Sequence, residues 1–140
     1  MKKNIDNTPC YCLKMHRSAE NVIACYNRIL APAGITIRQF SIMASILESE
    51  EETISKLAEI NDLDRTTMTR NLTPLLRMGL ITDRKKPGQR NSRIAVTDSG
   101  RKTFLEAQQL WNKAQNHFEN TLGQDGVRAL ENAIKKIQEL

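Results

Sequence analysis

Asp64-Arg65-Thr66-Thr67-Met68-Thr69-Arg70-Asn71-Leu72-Thr73-Pro74-Leu75-Leu76-Arg77-Met78-Gly79 is the stretch that decides the fold. Asp64 is a helix N-cap type, because its carboxylate can accept the free N–H groups of a first turn. Met68, Leu72, Leu75 and Leu76 recur at three-and-four spacing and form an inward stripe. Gly79 supplies the stop. Pro74 lies inside this helix, removes one hydrogen bond and is expected to bend the last turn. The exposed front of the helix reads Arg65-Thr66-Thr67-Met68-Thr69-Arg70, with two guanidinium groups and three hydroxyls.

On the N-terminal side, Thr53 caps a short helix carrying Ile54, Leu57, Ala58 and Ile60. Asn61-Asp62 breaks it, and Leu63 plugs the turn. Further back, Thr36-Ile37-Arg38-Gln39 has the form of a capping box. It opens a helix with Phe40, Ile42, Met43, Ile46 and Leu47, which fades into the acidic stretch from Glu48 to Glu52. Before Pro32 and Gly34, a long amphipathic helix from about Pro9 to Leu30 places Cys12, Met15, Ala19, Val22, Ile23, Tyr26, Ile29 and Leu30 on one stripe.

On the C-terminal side, Leu80 to Arg84 and Arg93 to Thr97 read as two short strands. The polar segment Lys85-Lys86-Pro87-Gly88-Gln89-Arg90-Asn91-Ser92 joins them as a long basic hairpin tip. Thr97 or Asp98 caps a fifth helix with Phe104, Ala107, Trp111, Ala114 and Phe118. A break from Gly123 to Gly126 precedes a sixth, with Val127, Leu130, Ile134, Ile137 and Leu140. The fold class is mainly α with a small β-hairpin wing. Two short helices, a tight turn and the hairpin spell a winged helix-turn-helix.

Of the 140 residues, 39% are hydrophobic and 26% charged, a balance that can bury a core without staples. No apolar run approaches the roughly 18 residues of a membrane helix, so no membrane partner is expected. The N-terminus has no signal-peptide pattern, and three cysteines are an odd count. A reducing cytoplasm is therefore the expected location. The two histidines, His16 and His117, lie far apart and form no triad, so an enzyme is not expected.

Charge is the strongest functional clue. Between Asp64 and Arg101 stand Arg65, Arg70, Arg77, Arg84, Lys85, Lys86, Arg90, Arg93 and Arg101 against Asp64, Asp83 and Asp98. That excess is larger than the whole chain's net +5. Such a block is either a solvated face or the footprint of a nucleic-acid surface. Its placement on a helix front and a hairpin favours double-stranded DNA. A major groove admits one helix, arginine can pair bidentately with guanine, and threonine can meet phosphate or a thymine methyl. The candidate DNA-binding residues are Arg65, Thr66, Thr67, Thr69 and Arg70 on the helix. Arg84, Lys85, Lys86, Arg90 and Arg93 join them on the wing.

The chain resembles the multiple-antibiotic-resistance regulator (MarR) family of transcription factors over about residues 10 to 140. The resemblance rests on Thr36-Ile37-Arg38-Gln39-Phe40, Ile54-Ser55-Lys56-Leu57-Ala58, Asp64 to Leu72, Met78-Gly79-Leu80-Ile81, and Ala95-Val96-Thr97-Asp98-Ser99-Gly100. It implies a homodimer joined by the first, fifth and sixth helices on pseudo-palindromic operator DNA. It also implies a small-molecule effector, often a planar aromatic or phenolic compound, between the dimer helices and the winged core. The expected organisation is one domain over 1–140. Residues 36–98 form the winged core, and 9–32 with 99–140 form the dimerisation helices. Trp111 and Phe118 are expected near or within the subunit interface. The family's wing carries an Asp-x-Arg pattern whose arginine enters the minor groove. Arg90 matches that arginine, but Gly88 stands where the aspartate is usual, which leaves Lys85, Lys86 and Arg93 to share the work.

Cys10 and Cys12 at the start of the first helix are a candidate thiol sensor, because a helix N-terminus favours thiolate. Small buried hydrophobes are the plainer reading of free cysteines. If Cys12 and Cys25 share one helix, they lie about 20 Å apart at 1.5 Å per residue, so three thiols cannot close one site. No zinc pattern occurs, and no metal or cofactor is expected. The function expected is a sequence-specific DNA-binding regulator, a repressor responsive to a ligand or to oxidation. The alternative is a thiol-based redox or metal-handling protein with an incidental basic surface.

Overall fold

The computed structural model describes residues 7–140. Helix α1 spans Tyr11–Leu30 and runs into a single 3-10 turn, Ala31–Ala33, which Gly34 ends at φ +79°. Helix α2 spans Ile37–Ser49, strand β1 Glu51–Glu52, α3 Ile54–Ile60 and α4 Arg65–Arg77. Strands β2 (Ile81–Asp83) and β3 (Ile94–Val96) follow, and α5 (Asp98–Ile137) completes the chain.

The caps read from the sequence are in place. Gln39 N–H donates to Thr36 Oγ1 at 3.1 Å, and Thr36 N–H donates to Gln39 Oε1 at 2.9 Å, closing the capping box. Thr53 Oγ1 accepts from Lys56 N–H at 3.1 Å, and Thr97 Oγ1 from Gly100 N–H at 3.0 Å. At the other end of α4, Gly79 takes φ +72°, the left-handed region that glycine enters without a Cβ clash. Leu80 N–H then reaches Leu75 O at 3.0 Å and Gly79 N–H reaches Leu76 O at 3.1 Å. This Schellman ending turns the chain straight into β2.

The core is the meeting place of α2, α3, α4 and the sheet. Leu30, Ile42, Met43, Ile46, Leu57, Met68, Leu72, Leu75 and Ile94 are fully buried there. Ile35, Phe40, Leu80, Ile81, Val96 and Ala107 belong to the same cluster, and Leu63 packs against it from the turn. α1 lies on α5, where the buried Tyr26 hydroxyl donates to Gln115 Oε1. Burial, with Cys25 and Glu119 nearby, holds that phenol above its ordinary pKa, so it stays a donor.

Four details differ from the sequence reading. The acidic stretch does not simply fade: Glu51–Glu52 forms a third strand, antiparallel to β3, and the order is β1-β3-β2. The strands of the hairpin are shorter than expected, with Ile81 opposite Val96 and Asp83 opposite Ile94. Leu76 faces outward, because Met68, Leu72 and Leu75 already fill the inner face of α4. The expected break falls at Gly123 (φ +74°, ψ 170°), where a kink divides Asp98–Ile137 into two helices, but it takes that one residue rather than the stretch from Gly123 to Gly126. Pro74 is accommodated within α4, which continues to Arg77.

Trp111, expected near or within the subunit interface, is half-buried within one chain. It packs inward on its own chain, its ring 5.9 Å from that of Phe40, which stacks on Phe104 at 4.8 Å. The residue joins α5 to the winged core. Phe118 is half-buried beside Tyr26 and Cys25, in a cleft of about 250 Å³ between α1 and α5.

Candidate nucleic-acid interface

The front of α4 is built by its cap. Asp64 accepts twice from Thr67, from N–H at 2.7 Å and from Oγ1 at 2.7 Å. These bonds, the backbone one first, hold the Asp64 carboxyl below its ordinary pKa. The anion also faces the positive end of the α4 dipole. Thr67 is thus occupied with its cap, and its carbonyl accepts from Asn71 Nδ2 at 2.9 Å.

Arg65, Thr66, Thr69 and Arg70 are all exposed on the same front. Arg65 Nη1 donates to Ser55 Oγ at 2.6 Å, tying the α4 front to α3. Sequence reasoning passed over Ser55. It stands next to Lys56 on the first turn of α3, and only the α3–α4 packing brings it to Arg65.

The wing runs from β2 to β3 through ten residues, among which Arg84, Lys85, Lys86 and Arg90 are exposed. Its base is closed by Asp83, whose Oδ1 accepts from Lys85 N–H and from Arg93 N–H, both at 2.9 Å. Arg84 N–H donates to Arg93 O at 2.8 Å across the strands. At the tip, Gln89 N–H reaches Lys86 O at 3.0 Å and Lys86 N–H reaches Gln89 Oε1 at 3.0 Å. Gly88, at φ +86°, makes that turn feasible.

Arg93 differs from the other basic wing residues. It is half-buried, and its guanidinium pairs with Glu51 of β1. Ser92 Oγ accepts from Ile54 N–H at 2.9 Å, so the returning strand is also fastened to the start of α3. Asp83 and Glu51 were both missed by the sequence reading. Asp83 carried a signal, as the one acid beside a basic run; Glu51 did not, because its role depends on an unforeseen strand.

Cys10 and Cys12 are exposed, whereas Cys25 is half-buried. Cys10 is the N-cap residue of α1 without a side-chain capping bond. Among the described residues, no group of three or more His, Cys, Asp or Glu side chains is placed to hold a metal. No single helix among them is long and apolar enough to cross a membrane.

A two-helix motif with an exposed basic front, followed by a braced basic hairpin, defines the chain as a winged helix-turn-helix protein. The MarR family model matches residues 35–92, which cover α2 through the wing. The M. tuberculosis transcriptional regulator MosR, solved in complex with DNA, is 33% identical over 93% of this chain and 96% of that one, with a TM-score of 0.76. A mutant MarR from E. coli complexed with operator DNA is 25% identical, covering 88% of this chain and 89% of that one, at a TM-score of 0.78. The transcriptional repressor CouR, bound to p-coumaroyl-CoA, shares the fold at a TM-score of 0.82 and 22% identity, covering 92% of this chain and 91% of that one. No curated protein matches the chain in sequence. The chain belongs to the MarR family of transcriptional regulators.

Proposed function

We propose that this protein is a homodimeric repressor that binds double-stranded operator DNA and releases it in response to a small molecule or to thiol oxidation. The observation that carries the reading is the exposed front of α4, with Arg65, Thr66, Thr69 and Arg70 side by side and the basic wing next in the chain. α4 enters the major groove, and its arginines read base edges while the threonines contact phosphate or methyl groups. Arg84, Lys85, Lys86 and Arg90 follow the backbone and the adjacent minor groove. Thr67 and Arg93 act from within, Thr67 by fixing the cap and Arg93 by fixing the wing base. The work is done by binding alone, with no catalytic step, in the cytoplasm where the DNA lies.

Dimerisation is supported by apolar residues that one chain leaves uncovered. Leu13, Met15 and Ile23 on α1, and Leu130, Ile134 and Ile137 at the end of α5, are all exposed. Large apolar side chains left uncovered on these helices are the kind of surface that a partner covers. Residues 9–32 and 99–140 are thus the dimerisation helices around a winged core at 36–98. Two copies present two recognition helices about 34 Å apart, one turn of DNA.

Two features support a response to a signal. The apolar cleft between α1 and α5, lined by Val22, Cys25, Tyr26, Phe118 and Leu122 among others, joins helices of the dimerisation region. The exposed Cys10 and Cys12 stand at the opening of α1, where a change in either thiol reaches the same helix. The reading is tested by affinity for a duplex selected from random sequence, measured against salt. Counterion release predicts that affinity falls steeply as salt rises. Binding that is absent, or indifferent to salt, overturns it in favour of a thiol-handling protein with an incidental basic surface.

A further inference from the structure

An acidic side chain stands inside the basic wing. Glu51 of β1 accepts at Oε1 from Arg93 Nε at 3.1 Å and from Arg93 Nη2. Arg84 Nη1 stands 4.0 Å from Oε2, which is buried and accepts no hydrogen bond among the described residues. Arg84 and Arg93 face each other across β2 and β3. Like charges directly opposite on paired strands repel, and here one carboxylate lies between them. Glu51 is held in turn by the pairing of β1 with β3, Glu51 opposite Ala95 and Glu52 opposite Ile94.

We propose that Glu51 is a positioning residue for DNA binding: by pairing with Arg93 and neutralising its repulsion with Arg84, it fixes the angle at which the wing leaves the winged core. The inference rests on the reading of the basic surface as a DNA interface. The braces within the wing itself are few. Gly88 contributes no side chain, and among the described residues the tip's hydrogen bonds are those of the Lys86–Gln89 turn. The base is therefore where the direction of Arg90, Lys85 and Lys86 relative to α4 is set. Glu51 links that base to β1, and β1 connects α2 to α3, so the wing is referenced to the helices that carry α4.

The consequence runs against simple electrostatics. Removing an acid beside polyanionic DNA raises affinity if charge alone counts. If Glu51 positions the wing, removing it lowers affinity. The experiment compares wild type, Glu51→Ala and Glu51→Gln in the full chain, on the duplex that the wild type selects. Affinity is measured by fluorescence anisotropy and base-by-base contact by hydroxyl-radical footprinting. Glu51→Ala is expected to bind about tenfold more weakly, the scale of one lost specific contact. Glu51→Gln, which keeps shape and one acceptor, falls between. Protection is lost at the flanking positions under the wing and kept at those under α4.

Amide hydrogen exchange on the free protein adds a readout that loss of charge alone leaves unchanged. Arg84 N–H and Arg93 N–H exchange faster in Glu51→Ala, while the α4 amides do not. Equal or tighter binding by both variants, with an unchanged footprint, overturns the proposal. Uniform loss of protection under α4 and wing together overturns it as well. A wild type that selects no duplex defeats the DNA reading itself, which is a separate outcome from unchanged variants on a duplex the wild type binds.

Discussion

Replacing Gly100 by alanine puts a methyl carbon 1.9 Å from the Leu80 carbonyl oxygen and 2.7 Å from Val96 Cγ1. A carbon–oxygen contact of this kind rests at about 3.3 Å, so the first turn of α5 must move away from Leu80 by more than about 1 Å. The oxygen is backbone and cannot rotate aside. It already accepts Thr97 N–H at 3.0 Å, and Thr97 Oγ1 donates to Gly79 O at 2.6 Å, so the shift strains both bonds. Overpacking of a tight contact costs about 1–3 kcal/mol, and a backbone clash belongs at the upper end. Against this, alanine is favoured over glycine in a helix by up to about 1 kcal/mol. The net expectation is a loss of about 2 kcal/mol, or about 6–8 °C in Tm for a chain of this size. Thermal unfolding followed by circular dichroism, at one fixed protein concentration because the proposed dimer makes Tm concentration-dependent, measures it. Helix propensity alone predicts a shift of the opposite sign. An unchanged or raised Tm therefore refutes the close approach of α5 to Leu80 and β3.

Three further outcomes are expected. Arg65→Ala and Arg70→Ala each cost about 1–3 kcal/mol of operator affinity and relax the preference at one position; both variants binding like wild type in competition assays defeats the placement of α4. The Asp64 carboxyl titrates below its ordinary value of 3.8, as seen by its carbon chemical shift against pH. Because the folded pKa is the lower one, the cap's contribution is present above that value and is lost as pH falls through the folded pKa. Alkylation labels Cys10 and Cys12 before Cys25, and a Cys10→Ser, Cys12→Ser variant no longer releases DNA on oxidation; faster labelling of Cys25 removes the N-terminal thiols from consideration.

Local pattern alone settled much of this protein. The caps at Thr36, Thr53, Asp64 and Thr97 and the stop at Gly79 are bonds between residues a few positions apart, so composition and spacing specify them. The buried stripe of α4 and the basic front opposite it follow from helical periodicity in the same way. Those elements suffice to identify a winged helix and to name the exposed basic residues proposed to meet DNA. What the sequence left open is decided by contacts between distant segments. Trp111 lies on an apolar stripe of α5, and only the tertiary approach of Phe40, itself stacked on Phe104, shows what its ring packs against within the chain. Leu76 lies on an apolar arc whose inner positions are filled by its neighbours. Glu51 and Arg93 are 42 residues apart, and a two-residue strand carries no periodicity to announce itself. An ion pair across such a distance has no local signature. The direction of the wing is therefore a tertiary property, while the existence and chemistry of the wing are written in the chain.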